Sequence, residues 1–332
     1  MMKKNGMILA LAAGVLLVAS CGKTIEVPQQ TGFTLTASIA NPAPETKTTY
    51  TDPDDGTLSV GWAAEEKLSL VIWDPTEGII ENYILTSSGS AGDKDRDFST
   101  TETVKALESG QKYFCIYPAM ETKNDSYFKH VAESESSEPL VYNKAEKYLG
   151  YVASAVQTGT SSPAHLKDID LLMGEATVSG SSASVVLQRQ VGVLKLVVKV
   201  PSAWREAEKT FQAFYLLNGS SEPFFYGEME ADFSTGKFNN LTETEAPYIP
   251  VMFSSAVPVP TSDQFIFYVA CGASTLEKDF SYYPMFMIEE GSGFRHKSGI
   301  IASVDIPIEV GKMTTLTIDA SDSNKWLEVS PE

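Results

Sequence analysis

Few residues of this sequence belong to the types from which catalytic and metal sites are usually built. Its 332 residues include three histidines and three cysteines, and no histidine stands in an HExxH or paired arrangement that would hold zinc. The Gly-x-Ser-x-Gly elbow of serine hydrolases is missing, and neither Gly236-Lys237 nor Gly311-Lys312 has the earlier glycine of a phosphate-binding loop. The sequence therefore predicts a protein that is not an enzyme and that needs no cofactor or metal.

Positive charge is also scarce. The chain has 25 Lys and Arg against 43 Asp and Glu, which gives a formal net charge of −18. Proteins bind nucleic acid largely by neutralising phosphates with Lys and Arg. We therefore expect no nucleic-acid partner, and an acidic surface that helps to keep the protein soluble.

Acidic residues are plentiful, but their clusters lack the spacing of a functional site. Residues 93–97 have the acid spacing of a calcium loop, yet Phe98 and Val104 stand where that loop needs glycine and glutamate. A solvated loop is the favoured interpretation. The neighbours in Glu65-Glu66 and in Glu289-Glu290 would point to opposite faces of an extended chain, so neither pair could act on one bond.

Long apolar runs are rare, and a clear one lies at the N-terminus. Lys3 and Lys4 precede an uncharged apolar stretch over residues 7–18, and small residues then lead into Cys21. This is the layout of a bacterial lipoprotein signal, and the stretch is too short for a permanent membrane span. We predict a signal peptide over residues 1–20, a lipidated Cys21 that carries acyl chains such as palmitate, and a tether over residues 21–30. The alternative is an ordinary secretory signal with a chance cysteine.

The other two cysteines, Cys115 and Cys271, lie in apolar stretches. An extracytoplasmic compartment permits a disulfide. We favour two buried thiols that act as small hydrophobic residues.

Alternating apolar and polar residues dominate the rest of the chain. In the first such stretch Phe33, Leu35, Ala37 and Ile39 share one face and hydroxyl residues occupy the other, as in a half-buried strand. Similar stretches recur, separated by turn residues, and helical periodicity is limited to a short segment at 203–209. This pattern predicts an all-β protein of two β-sandwich domains.

The domain boundaries follow from composition. The Ser- and Gly-rich segment 179–184 resembles a hinge, so we predict an N-terminal sandwich over residues 31–178 and a C-terminal sandwich over residues 179–320. Residues 321–332 form a predicted tail. The polar region 120–162 fits no clear pattern.

Aromatic residues support an alternative function. Phe224, Tyr226, Tyr282 and Tyr283 could stack on a sugar if they lay exposed in one groove, as in a stand-alone glycan-binding lipoprotein of the outer membrane. In a β-sandwich such residues more often fill the core or an interface.

Several short motifs resemble those of the Bacteroidales fimbrillin family, whose members are subunits or anchors of type V pili or lone surface lipoproteins. These motifs are the lipobox that ends at Cys21, the strand 33–39, Glu45-Thr46-Lys47-Thr48, Val60-Gly61-Trp62, residues 113–118, Leu172-Met173-Gly174, and Gly311-Lys312 before a last alternating strand.

The resemblance implies two transthyretin-like β-sandwich domains and export as a surface-exposed, lipid-anchored protein of the outer membrane. Its partners would be that membrane, other fimbrial subunits, and ligands on host or bacterial surfaces. In members that polymerise into a fimbrium it also implies a trypsin-like cut after an early Arg or Lys, for which Lys47 is the best match. Two departures are that Lys replaces the commoner Arg, and that the segment after Cys21 holds Glu26 alone in place of an acidic cluster.

The strand at 33–39 suggests how such subunits would join. Burial of Phe33, Leu35, Ala37 and Ile39 would contribute an energy comparable to the net stability of a domain, and removal of the strand would leave a groove with unpaired edges. We predict that this strand is removable and that segment 313–318 or 326–329 of another copy replaces it. The alternative is that Lys47 is an ordinary loop residue and the strand stays in place, as an anchor or a stand-alone lipoprotein would require.

Overall fold

A computed structural model describes residues 29–30, 32–40, 62, 65–87, 95–120, 129–130, 140–143, 148–152, 156–157, 163, 166, 170–219, 224–240, 245–246, 248–278, 281–288, 293–296, 300–301, 305–322 and 326–329. The protein is 65% β-strand with almost no helix, which confirms the all-β prediction. Among the described residues, no helix has both the length and the apolar character to cross a bilayer.

The strands of the first part of the chain are β1 Gln29–Gln30, β2 Thr34–Ile39, β3 Lys67–Asp74, β4 Gly78–Ser87, β5 Asp95–Ser99, β6 Val104–Lys105, β7 Lys112–Tyr117, β8 Lys129–His130, β9 Leu140–Asn143, β10 Tyr148–Val152, β11 Val156–Gln157, β12 Leu172–Ser179 and β13 Ser182–Arg189.

The second part contains β14 Gly192–Lys199, the helix α1 Ser202–Glu206, β15 Thr210–Asn218, β16 Phe225–Tyr226, β17 Glu228–Asp232, β18 Lys237–Asn240, β19 Glu245–Ala246, β20 Tyr248–Pro258, β21 Gln264–Cys271, β22 Ser274–Leu276, β23 Ser281–Ile288, β24 Gly293–His296, β25 Ile300–Ile301, β26 Ile306–Ile308, β27 Met313–Asp319 and β28 Trp326–Val329.

Seven strands of the first part close on themselves in the order β12-β13-β2-β5-β4-β3-β7. We call this arrangement the closed sheet. Each of these strands therefore has a neighbour on both sides, although β4 and β5 pair only at Thr86–Ser99 and Ser87–Phe98. Inward side chains from every strand fill its interior, among them Leu35, Leu70 and Phe98, which are fully buried.

The described part of the acidic segment at 93–97 is part of this sheet rather than the solvated loop that the sequence predicted. From Asp95 onward it forms β5, in which Asp95 and Asp97 are exposed while Arg96 and Phe98 are buried. The alternation that inserts Phe98 into the core decides the conformation.

The segment 179–184, predicted to be a hinge, is the tip of a β-hairpin. Strands β12 and β13 pair from Leu172 to Arg189, and Gly180 turns the chain with φ of +61°, which glycine adopts without strain. Strand β13 then runs beside β2 within the closed sheet. The ladders of the first part therefore continue to Arg189, past the predicted boundary at 178/179, and the division into two domains stays a prediction.

The second part packs one sheet on another. The smaller sheet has the order β21-β14-β27, and the larger has the order β11-β20-β15-β23-β24-β28 with β25 beside β23. Phe267 of β21 stacks on Phe214 of β15 at 4.6 Å between ring centroids, and Phe286 of β23 completes the cluster. The predicted helix at 203–209 is shorter, as α1, and its Trp204 covers one end of this core.

A third core joins the two parts. The ring of Phe233, which follows β17, packs against Trp73 and Phe114 on the outside of the closed sheet at 6.0 and 5.1 Å. The same cluster includes Met173 from the closed sheet and Tyr268 from β21. Strands also cross between the parts, since β10 pairs with β17 and β11 with β20.

The short strand β11 carries a polar side chain deep into this assembly. Gln157 is fully buried. Its amide donates a hydrogen bond to the carbonyl oxygen of Ile266 at 2.8 Å and accepts one from the backbone N–H of Tyr268 at 3.2 Å. Both partners lie on β21, at an edge of the smaller sheet.

A buried ion pair lies where the chain leaves the closed sheet. Arg189, the last residue of β13, donates from Nε and Nη2 to the two carboxylate oxygens of Asp170 at 2.6 and 2.8 Å. Both side chains are buried. The next residue, Gln190, accepts a hydrogen bond from the backbone N–H of Phe238 in β18 at 3.0 Å. The junction therefore consists of polar side chains that are hydrogen-bonded to each other or to β18.

We predict that Arg189→Met lowers the free energy of unfolding by about 3–5 kcal/mol, because it leaves the Asp170 carboxylate buried without its partner. The double variant Asp170→Leu/Arg189→Met should lose much less. The matched control is Lys112→Met, which breaks the exposed Lys112–Glu175 pair and should cost about 1 kcal/mol or less. Urea denaturation measures all three, and equal losses for Arg189→Met and Lys112→Met would contradict the prediction.

Candidate functional site

Strand β2, which holds the residues predicted for strand exchange, lies between two partners in the closed sheet. It runs parallel to β13, from the pair Thr34 and Ser182 to the pair Ile39 and Leu187. It runs antiparallel to β5 on its other side. Beyond the end of β2, the backbone N–H of Ala40 also bonds to the carbonyl oxygen of Leu187 at 2.7 Å. β2 therefore closes the sheet through two full ladders.

The inward face of β2 is formed by the apolar residues that the sequence singled out. Phe33, Leu35 and Ala37 are fully buried, and the Phe33 ring lies 6.0 Å from that of Tyr113. Ile39 is partly buried and contacts both the interior of the closed sheet and the core that joins the two parts.

The outward face of β2 is polar. Thr36 donates a hydrogen bond to Asp97 at 2.6 Å and Ser38 donates one to Asp95 at 2.5 Å. These hydroxyls line a cleft of about 490 Å³ between the closed sheet and the turn that joins β17 to β18. In its wall Gly174 lies so close to β13 that a Cβ atom would be 2.5 Å from the carbonyl oxygen of Val186, which gives a physical reason for the glycine of Leu172-Met173-Gly174.

The second part repeats the pairing of β2. Its first strand, β14, is also flanked by a parallel strand from the end of that part, β27, and by an antiparallel strand, β21. One difference is that β13 has a second partner, β12, whereas β27 pairs only with β14 among the described strands.

Not every predicted site residue can be placed. Cys21 and Lys47 lie outside the described residues, so lipidation and cleavage stay predictions. The two donor segments are β27, whose Ile318 is buried and Leu316 half-buried, and β28, which pairs with β24.

The aromatic residues proposed as a sugar platform do not share an exposed groove. Phe224 and Tyr282 are 5% and 1% exposed, and their rings meet at 5.2 Å inside the core of the second part. Tyr226 and Tyr283 are half-buried. Because Tyr282 and Tyr283 are neighbours in a strand, they point to opposite faces, so that prediction of a platform is wrong for these four residues.

The partners of β2 are the site residues that the sequence analysis missed. Ala183, Val185 and Leu187 alternate with exposed residues and point inward from β13. This alternation was a usable signal, but the serines around Gly180 favoured a hinge.

Cys115 and Cys271 are free and fully buried thiols, as favoured from the sequence. Burial raises the pKa of Cys115 far above its usual value and raises that of Cys271 to about 12. Since the thiolate is the reactive form, both residues are chemically inert in the folded protein.

We predict that Cys115 and Cys271 do not react with a disulfide reagent such as DTNB at pH 8 in the folded protein and that both react after denaturation. The control is Ser234→Cys, which adds a thiol at an exposed turn and should react at once. Rapid reaction of Cys115 or Cys271 in the folded protein would contradict the described burial.

We also predict that Leu35→Ala lowers the free energy of unfolding by about 2–5 kcal/mol, the usual range for a fully buried leucine. Thr36→Ala is the matched control on the opposite face of β2, and loss of its exposed hydrogen bond should cost about 1 kcal/mol or less. Urea denaturation checks both, and similar losses would mean that β2 is not anchored by its inward face.

Comparisons with known proteins give structural neighbours only. No family model matches the chain, and no curated protein matches it. A solved structure of a candidate cell adhesion protein from Bacteroides uniformis is similar with a TM-score of 0.44 and 13% identity, and covers 90% of this chain and 96% of that one.

Two further neighbours come from the same genus. A candidate cell adhesion protein from Bacteroides ovatus has a TM-score of 0.46 and 9% identity over 91% of this chain and 96% of that one. A fimbrial protein from Bacteroides vulgatus has a TM-score of 0.37 and 8% identity over 92% of this chain and 98% of that one.

Proposed function

We propose that this chain is a non-enzymatic cell-surface lipoprotein that acts as a structural or anchor subunit of fimbriae, supports adhesion, and joins other subunits by β-strand exchange. The observation that supports the proposal is the position of β2. It is a single strand near the N-terminal end of the mature chain, and it closes the sheet through a ladder on each side, to β13 and to β5.

The free energy gained by burying β2 is large enough that the strand would be replaced by another rather than lost spontaneously. Full burial of Phe33 and Leu35 stabilises the fold by about 1.5–3 kcal/mol each, before the two ladders are counted. A domain has a net stability of about 5–15 kcal/mol. The closed sheet without β2 would therefore be only marginally stable, and a replacement strand would be strongly favoured.

The replacement must satisfy the neighbours that β2 leaves behind. It has to bond to β13 on one side and β5 on the other, and it has to present apolar side chains every second residue to the space left by Phe33 and Leu35. Addition of an extended strand to exposed sheet edges is a common mode of peptide binding. Segments 313–318 and 326–329 of another copy are our donor candidates.

In this proposal cleavage after Lys47 separates β2 from the rest of the chain. Lipid at Cys21 would remain on the fragment that is removed, so cleavage also frees the subunit from its anchor in the outer membrane. A subunit that keeps β2 would stay attached to the membrane, as an anchor or a stand-alone lipoprotein does.

The test is mild trypsin digestion of the folded protein. We expect cleavage after Lys47, a new N-terminus at Thr48, and ladders on gels that disappear on heating. An excess of a peptide with residues 33–40 should block the ladders because it refills the vacant site, and the same peptide with Leu35→Glu should not.

Lys47→Ala is the control for the cut. It should leave the protein monomeric after the same digestion. Ladders from Lys47→Ala, or a product that is cleaved after Lys47 and remains monomeric, would refute assembly by exchange of β2.

A further inference from the structure

One face of the larger sheet in the second part is apolar although it points away from the core. On β15, β20 and β23 the inward side chains, such as Phe214, Val251 and Phe286, are buried. The side chains between them are exposed or half-buried. We call them the outer face: Tyr215, Leu217, Tyr248, Pro250, Met252, Tyr283, Met285 and Met287.

The strand registers arrange the outer face in rows. Leu217 of β15 pairs with Tyr248 on one side and with Tyr283 on the other. Tyr215, two residues before it, pairs with Pro250 and Met285. Since neighbouring strands are about 4.8 Å apart, the Cα atoms of Tyr248 and Tyr283 lie roughly 10 Å apart across the sheet. Tyr248 and Tyr283 therefore lie in one row, and Tyr215 lies in the row next to it.

The rings of these tyrosines are held in place. Tyr215 and Tyr248 meet edge to face, with 6.0 Å between ring centroids, and the Tyr215 hydroxyl donates to the sulfur of Met252 at 3.5 Å. The Tyr283 ring lies against Gly219, where an added Cβ would clash with it. Tyr248 and Met252 are 40% and 42% exposed, so part of this ordered surface is open to solvent.

Charge narrows the choice of partner. None of the eight side chains of the outer face is charged, whereas the whole chain carries −18. Such a charge repels anionic polymers, and the uncharged side chains of the outer face offer no counter-ion to a cationic ligand. The outer face therefore suits a neutral partner.

We propose that the outer face binds a neutral, extended oligosaccharide. The apolar C–H face of a pyranose ring packs against the electron-rich face of a tyrosine ring, and the phenolic hydroxyls of Tyr248 and Tyr283 can hydrogen-bond to its hydroxyl groups. A sheet surface suits a chain of several sugars, bound across successive tyrosines. The site does not involve β2, so it goes beyond strand exchange and is tested separately from it.

The test is affinity electrophoresis and calorimetry of the purified full chain with neutral polysaccharides, namely xyloglucan, galactomannan, laminarin and soluble starch, and with polygalacturonate as the anionic comparison. We expect binding in the millimolar range or tighter to at least one neutral polymer and none to polygalacturonate. Tyr248→Ala and Tyr283→Ala should each weaken it by about tenfold or more, as for stacked aromatic contacts at a binding site.

Two further variants keep the test specific. Gly219→Ala retains every tyrosine but displaces the Tyr283 ring, so it should weaken binding. Val186→Ala, at a residue 56% exposed on the closed sheet, should leave binding unchanged. Because Tyr248 is exposed, its variant should fold, and circular dichroism checks this.

Three results would overturn the proposal. They are failure of every neutral polymer to bind, binding that is insensitive to both tyrosine variants, and sedimentation showing an oligomer that Tyr248→Ala converts to monomer. The last would assign the outer face to contact between copies. None of them bears on the trypsin test of β2.

Discussion

The closed sheet depends on the parallel ladder between β2 and β13. Every other neighbour in the ring is antiparallel, and three of these six pairs join strands that are adjacent or nearly adjacent in sequence. The β2–β13 ladder joins residues that are about 150 positions apart, so every other strand of the closed sheet lies between its two partners in sequence. Parallel pairing needs a long crossover connection, and here the other strands of the sheet form that connection.

The shared core makes the two parts of the protein one mechanical unit. Phe233 packs on Trp73 and Phe114, and Gln190 ties β18 to the end of β13. The ion pair between Asp170 and Arg189 lies at the same junction. The two parts are therefore joined by packed side chains and buried hydrogen bonds, and a subunit that carries load along a fibre, as proposed, would need such a junction.

Sequence patterns predicted the conformation of single strands better than they predicted which strands pair with each other. The period-2 alternation of Phe33, Leu35 and Ala37 placed β2 and its buried face correctly, because alternation depends only on which side of one strand meets the core. The same pattern cannot say which strands lie beside it, so ring closure was not predicted. The hinge at 179–184 was wrong because serine and glycine suit both a linker and a hairpin tip.

The aromatic residues show the same limit. A sugar platform that included Tyr282 and Tyr283 was the alternative to a place in the core, yet adjacency in a strand places Tyr282 in the core and Tyr283 outside. Tyr215, Tyr248 and Tyr283 come together only through the registers of β15 with β20 and β23. Such a surface depends on which strands pair and in what register. No short sequence motif specifies that pairing.

Gln157 makes the two edges of the smaller sheet different. Its amide bonds to the carbonyl of Ile266 and the N–H of Tyr268 on β21, so a single side chain satisfies two backbone groups as one residue of a neighbouring strand would. At the other side β27 has β14 as its one ladder partner among the described strands. The two edges of the smaller sheet therefore differ: a side chain from β11 is bonded to one, and the other has no second ladder among the described strands.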